Sequence, residues 1–168
     1  MSVLPPPGAG FDLEVPILVV GAGACGLVAA LTANDAGAEV LVVEADAAPS
    51  GSTALSAGLI PAAGTRFQRD AGIEDSADLF AQDIQKKAKD ENPQELVDLL
   101  AGHSGKVIEW LADKFDLPFS VVTDFDYPGH SRRRMHGLPT RAGRELVDRL
   151  RTACEVQGID IICNRRAT

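Results

Sequence analysis

Apolar positions along this chain follow two rhythms. Residues 15–20 and 39–44 are short, nearly continuous apolar runs, the pattern of strands buried on both faces of a parallel sheet. A helix ending near Gly37 is predicted between them. A stretch rich in Gly, Ser, Ala and Pro follows from Ala45 to about Gly72, too long for a simple connector and so expected to be functional. Asp75 or Ser76 can cap the next helix, with Leu79, Phe80, Ile84 and Ala88 as its apolar stripe. Asn92-Pro93-Gln94-Glu95 predicts another helix start, with Asn as cap and Pro at the first helical position. Its stripe reads Leu96, Leu99, Leu100, Val107, Ile108 and Leu111, with Gly102 and Gly105 expected to divide or bend it, and Trp110 is assigned to the core. Residues 119–125 read as a short strand or extended segment, and Tyr127-Pro128-Gly129 as a turn. Thr140 is expected to open a last helix carrying Leu146, Val147, Leu150 and Cys154, stopped at Gly158, before a third buried strand over 159–163. The order is β-α-β, a long and mainly helical excursion, then α-β. That is an α/β architecture on a right-handed parallel sheet.

The turn after the first strand carries chemistry. It reads Gly21-Ala22-Gly23-Ala24-Cys25-Gly26, and Glu44 closes the second strand 23 residues beyond Gly21. The first glycine allows a sharp turn, the second lets backbone approach a pyrophosphate, and the third lets helix and strand pack closely. Free N–H groups and the positive end of the helix dipole then face the phosphates, and an acid at the end of the next strand can accept from ribose hydroxyls. Strand before, helix after and acid downstream form the context this motif requires. An ADP moiety is expected there, although the turn alone does not separate FAD from NAD.

Length and composition narrow the setting. At 168 residues the chain is long enough for one domain with a core. No apolar run approaches the roughly 18 residues of a membrane span, and the Pro/Gly-rich start, assigned to a flexible segment over 1–14, lacks a basic leader. Cys25, Cys154 and Cys163 are odd in number and have no CxxC spacing. Neither a disulfide framework nor a metal site is expected, and reduced thiols point to the cytoplasm. The net charge of −8 argues against nucleic acid, yet it divides unevenly, −13 before Ser131 and +5 from there on. Arg132-Arg133-Arg134 comes without aromatic interleaving, so these arginines are expected to be solvated or to face acids outside this chain. His130 and His136 flank them, but no third ligand has metal spacing. Cys25 sits at a helix N-terminus, a setting that favours a thiolate, but is read as a small residue tolerated in a tight turn.

The segment Ser50-Gly51-Ser52-Thr53-Ala54-Leu55-Ser56-Ala57-Gly58-Leu59-Ile60-Pro61-Ala62-Ala63-Gly64-Thr65 resembles the flavin-cradling loop of the fumarate reductase and succinate dehydrogenase flavoprotein family, including its soluble members and the related ketosteroid dehydrogenases. The similarity continues through Phe67-Gln68, the 72–76 segment, the Trp110-Leu111 helix and the region from Pro139 to the last strand, so it covers the chain from residue 15 on. The resemblance implies a Rossmann-like FAD-binding domain. It gives Gly21, Ala22, Gly23, Ala24, Cys25 and Gly26 to the pyrophosphate turn, Glu44 and Ala45 to the adenosine ribose, Ser52, Thr53, Ala57 and Gly58 to the pyrophosphate and flavin, and the backbone of Ala167 to the adenine. Membrane-bound members attach flavin to a His in this loop. Ser52 stands nearest that position, so non-covalent FAD is expected.

The resemblance also implies what is missing. Family members are several times longer, and their substrate cap, substrate-binding His and Thr, proton-delivering Arg and final FAD-domain strands have no counterpart in this sequence. No catalytic residue is therefore assigned. The chain is expected to be an incomplete FAD-binding portion, completed by further polypeptide or by a second subunit, of an oxidoreductase moving hydride to or from a C–C bond next to a carbonyl or carboxylate. The alternatives are an NAD-dependent dehydrogenase domain and a truncated, non-catalytic nucleotide-binding chain.

Overall fold

The computed structural model describes residues 5, 8, 10, 11 and 13–167. In chain order the elements are β1 (Ile17–Val20), α1 (Ala24–Asp35), β2 (Val40–Val43), α2 (Gly51–Ala54), β3 (Ile60–Pro61), α3 (Arg66–Asp70), α4 (Ala77–Ala88), α5 (Gln94–Phe115), β4 (Ser120–Val121), β5 (Met135–Gly137), α6 (Gly143–Val156) and β6 (Asp160–Ile162). They fall into two compact units, one formed by the chain up to Ala57 and from Ala142 onward, the other by Gly58–Arg141. The segment 1–14 lies mostly outside the described residues.

The first unit is the expected β-α-β plus α-β. Its three strands form a parallel sheet in the order β1-β2-β6, with Leu18 opposite Leu41 and Val42 opposite Ile161. Val40 and Val42 are buried, as are Leu27, Ala30 and Leu31 on α1 and Leu146, Val147 and Leu150 on α6. The Cys154 thiol on α6 points at the Leu27 carbonyl of α1, 3.7 Å away. The strands were expected to be buried on both faces, and here the structure differs. Side chains alternate between faces, and Leu18 and Val20 are 53% and 60% exposed. The last helix also starts later than Thr140, with Ala142 as its cap.

The excursion is less purely helical than its sequence suggests, because it contains an antiparallel sheet in the order β3-β5-β4. Strand β5, Met135-His136-Gly137, is buried throughout but carries no apolar run that would announce it. The stretch from Ala45 to Gly72, read as one loop, holds α2, β3 and α3. Thr65 begins α3 with a reciprocal capping box to Gln68. Ser76, rather than Asp75, caps α4 by accepting the Leu79 N–H at 3.2 Å.

Helices α4 and α5 pack around Phe80, Ala81, Val97 and Ala101. Helix α5 runs unbroken through Gly102 and Gly105, and its cap is Pro93, not Asn92. A Cβ on Gly105 would stand 2.5 Å from the Ala63 carbonyl oxygen, so this mid-helix glycine serves close backbone approach rather than a bend. The buried stripe of α5 is Val97, Ala101, Gly105, Ile108 and Leu111. Leu96, Leu99 and Leu100 are half exposed or more, since the small residues are the ones that admit the neighbouring backbone. Trp110 is half-buried, edge-on to Phe115.

A buried polar network accompanies this packing and corrects the expectation of solvated arginines for Arg134, while Arg132 and Arg133 are exposed as expected. The Arg134 guanidinium is fully buried, bonded bidentately to Asp75, paired with Asp83 and set over the Phe80 ring. Arg133 pairs with Asp126, and Arg132 donates to the Glu74 carbonyl. Ser131 donates to Asp83 from both its N–H and its hydroxyl. Burial works to raise the Asp83 pKa, but the bonds from Arg134 and Ser131 outweigh it and hold the carboxyl below its usual value. His136 Nδ1 lies 2.9 Å from the Arg134 carbonyl and Nε2 2.8 Å from Thr65 Oγ1. A carbonyl only accepts, so Nδ1 carries the proton and the Thr65 hydroxyl donates to Nε2. Burial lowers the pKa of His136 and of His130, which keeps both imidazoles neutral near pH 7.

Candidate cofactor-binding site

The glycine turn is built as its spacing requires. Gly21 leaves β1 at φ +101, where L side chains rarely go, and its N–H donates to the Val43 carbonyl at 2.8 Å. A Cβ on Gly26 would stand 1.9 Å from the Gly21 carbonyl oxygen and 3.3 Å from Val19, so helix and turn meet only because residue 26 has none. Gly23 differs. A Cβ there would find only Thr53 Oγ1, at 3.7 Å, an ordinary contact. Among the described residues nothing demands glycine at 23, and the space in front of it is open. Gly23 caps α1 with no side-chain bond, and the first-turn N–H groups of a helix have no intrahelical acceptors. Cys25, on this first turn, is exposed.

Glu44 has a second task that its position alone did not announce. Its carboxylate is buried, and Oε2 accepts the Ala22 N–H at 2.7 Å while Oε1 accepts the Asp46 N–H at 2.9 Å. Those bonds, Asp46 first and then Ala22, outweigh burial and lower its pKa. The acid is therefore charged and fastens the middle of the glycine turn. A carboxylate offers about four acceptor positions, so hydroxyl recognition is still open to it. The segment after β6 closes on the same place: Arg165 donates to the Glu44 carbonyl at 2.8 Å and Asn164 to the Asp46 carbonyl at 3.0 Å. Ala45 is exposed beside Glu44, and Ala167 is exposed two residues beyond Arg165.

Thr53 comes to the same helix end. Its Oγ1 accepts the Ala24 N–H at 3.2 Å. Ser52 and Ala57 are exposed. Gly58 is buried, has φ +63 and begins the second unit. The structure thus brings Gly21–Gly26, Glu44 and Thr53 into direct hydrogen-bonded or steric contact. Residues 16–168 match the FAD binding domain family.

The chain belongs to that family.

Over 162 residues this FAD-binding chain is 36% identical to the probable fumarate reductase Ifc3 of Shewanella frigidimarina, covering 94% of the chain and 27% of that protein. Its fold superposes on the open conformation of a flavocytochrome c3 fumarate reductase with a TM-score of 0.83 at 34% identity, over 93% of the chain and 28% of that structure. A 3-ketosteroid-Δ4-(5α)-dehydrogenase from Rhodococcus jostii RHA1 shares the fold at a TM-score of 0.76 and 22% identity, over 95% of the chain and 39% of that structure. The chain spans little more than a quarter of the length of the two fumarate reductases. The family match does not favour the NAD-dependent alternative.

The residues present suit FAD. Gly23 leaves room that a Cβ would fill, the start of α1 offers backbone donors for a pyrophosphate, and Glu44 offers a charged acceptor. Among the described residues no group of three or more His, Cys, Asp or Glu could hold a metal ion, and no helix is long and apolar enough to cross a membrane.

Proposed function

We propose that this chain is the FAD-holding portion of a flavin-dependent oxidoreductase that moves a hydride to or from a C–C bond next to a carbonyl or carboxylate. The observation that carries the reading is the turn from Gly21 to Gly26 with its centre fastened by the Glu44 carboxylate at 2.7 Å. The fumarate reductase relatives support the reaction class. When bound, the flavin supplies the hydride chemistry. The protein supplies position and charge. Gly21, Ala22, Gly23, Ala24, Cys25 and Gly26 would present backbone to the pyrophosphate, and Glu44 with Ala45 would meet the adenosine ribose. Ser52, Thr53, Ala57 and Gly58 would run along the pyrophosphate toward the flavin, with the Ala167 backbone at the adenine. The parallel order β1-β2-β6 with its glycine turn supports a Rossmann-like arrangement. With Ser52 nearest the position of the linking His, we read the attachment as non-covalent, and the free thiols of Cys25, Cys154 and Cys163 fit the cytoplasm.

Titration of the purified protein with FAD tests the reading. Saturable uptake with quenched flavin fluorescence is expected, and a protein that stays colourless at all FAD concentrations sinks it. Acid precipitation should release the flavin into the supernatant, whereas yellow colour retained in the pellet would show a covalent bond. The longer oxidoreductase of which this chain is proposed to be the FAD-holding portion, reduced and offered fumarate, an acrylate and a 3-ketosteroid under anaerobic conditions, should be reoxidised by at least one of them, whereas residues 1–168 alone are expected to show no turnover.

A further inference from the structure

The loop carrying Ser52 and Thr53 is held at both ends by the first two residues of α6, although 87 or more residues of sequence separate them. The Gly143 N–H donates to the Ser56 carbonyl at 2.9 Å, and Arg144 Nη1 donates to the Pro49 carbonyl at 3.1 Å. Within the loop, Ser56 Oγ donates to the Thr53 carbonyl at 2.8 Å. A Cβ on Gly143 would stand 1.7 Å from that Thr53 carbonyl oxygen and 2.8 Å from both oxygens of Ser56. Side-chain carbons do not come within 3.0 Å of such atoms, so any larger residue at 143 drives the Thr53 backbone back by more than an ångström. Thr53 reaches the Ala24 N–H through Oγ1 at 3.2 Å, and a shift of that size breaks the contact. The other side of the clamp is rigid. Leu146, Val147, Leu150 and Cys154 root α6 in the core, and Arg144 itself is exposed, with no burial role to explain its place.

We infer that Gly143 and Arg144 are positioning residues for the cofactor, latching the Pro49–Ser56 loop so that the Thr53 hydroxyl stands at the start of α1 beside the glycine turn. This rests on the FAD reading above and adds to it a pair of residues that need not touch the cofactor. Gly143 sets the depth of the loop through the Thr53 and Ser56 carbonyls. Arg144 fixes its entry at Pro49.

The test uses the FAD-reconstituted protein, with binding, visible flavin bands and Tm measured on the same samples. Gly143→Ala is expected to weaken FAD binding by about tenfold or more and to shift the flavin bands, as loss of a packed hydrogen-bonded contact should. Arg144→Ala is expected to weaken it by about three- to tenfold, with Arg144→Lys restoring part of the loss, because one ammonium donor can still serve the single Pro49 acceptor. Leu150→Ala, in the core of the same helix, is expected to lower Tm at least as far while leaving the flavin bands in place. Thr53→Val combined with Arg144→Ala should lose less than the sum of the two single losses. Affinity and spectrum that merely track Tm along the Leu150→Ala line, or strict additivity with Thr53→Val, would overturn the inference. Where Gly143→Ala does not fold, the Arg144 pair decides. A wild-type protein that takes up no FAD overturns the cofactor reading itself, whereas normal uptake by wild type and by both latch variants overturns this inference alone.

Discussion

The two units hold polar groups in opposite ways. In Gly58–Arg141 the buried polar groups are turned on one another: Arg134 meets Asp75 and Asp83, Gln68 meets Thr65, Asp75 and the Arg133 carbonyl, and His136 is bonded at both ring nitrogens. In the first unit the donors at the start of α1 are left facing outward, with Thr53 meeting one of them, and the buried carboxylate of Glu44, the only one among the described residues of that unit, shapes the turn that presents them. A scaffold is stable when its buried polar groups are saturated by the protein. A binding site needs the reverse, donors fixed in place and still free to bond a ligand. The buried charges of the second unit therefore belong to its framework, whereas the run of Gly and Ala with one Cys in the first unit leaves backbone donors open.

The largest test of that contrast is Arg134→Leu. It leaves Asp75 and Asp83 buried without their cation, and a loss of about 3–5 kcal/mol in unfolding free energy is expected from urea titration. A loss below about 1 kcal/mol would make the network ornamental and the contrast wrong. Gly26→Ala comes next. Its Cβ cannot coexist with the Gly21 carbonyl 1.9 Å away, so about 1–3 kcal/mol of stability and most FAD affinity should go. Gly23→Ala, with only an ordinary contact to Thr53 inside the protein, should cost FAD affinity with little stability. Equal stability losses at 23 and 26 would deny the space reserved at Gly23.

Solution pH should separate the units by direction. His136 and His130 titrate below the ordinary histidine value of 6.5 in the folded protein. The unfolded chain thus binds more protons there, and stability present above pH 6.5 is lost as pH falls. Asp83, held below 3.8, and Glu44, held below 4.5, add losses only under those values. The second unit should therefore weaken in acid before the first. The alkaline side reverses this order. Burial pushes the Cys154 thiol up to about 12 from 9.0, so stability that is complete below pH 9 is lost as pH rises toward 12, and the loss falls on the first unit. Hydrogen exchange resolved by segment, corrected for intrinsic rates, measures both arms, and Cys154→Val should remove the alkaline one. The smallest effect is expected at Leu99→Gln on the exposed face of α5, within about 0.5 kcal/mol, against about 2–5 kcal/mol for Ile108→Ala. A large loss at Leu99 would show that this face is covered.

Legibility followed the same division. The turn over residues 21–26 was legible because its glycines act locally, through φ at Gly21 and contact at Gly26. The parallel strands announced themselves as apolar runs. The short strand Met135-His136-Gly137 did not, because its partners are set by tertiary packing on both sides, β4 on one and, 71 and more residues away, Ile60 and Thr65 on the other. Arginine runs read as solvated when no acid is adjacent in sequence, yet Asp75 and Asp83 lie 59 and 51 residues before Arg134. Leu96, Leu99 and Leu100 fitted a helical stripe as well as Val97 and Ala101 did. Periodicity ranks faces by hydrophobicity, whereas packing chose the face small enough to let Ala63 approach Gly105.

The sequence by itself determined the glycine turn, the α/β order and the place of the acid, since each follows from the conformational freedom of glycine or the period of apolar residues over a few positions. Only the tertiary structure decided that Glu44 braces the turn, that Gly143 and Arg144 hold the Thr53 loop, and that Arg134 lies at the centre of the second unit. Those assignments depend on distances of a few ångströms between residues 22 to 95 positions apart, and chain closure over such spans is fixed by the packing of the whole unit rather than by any local pattern.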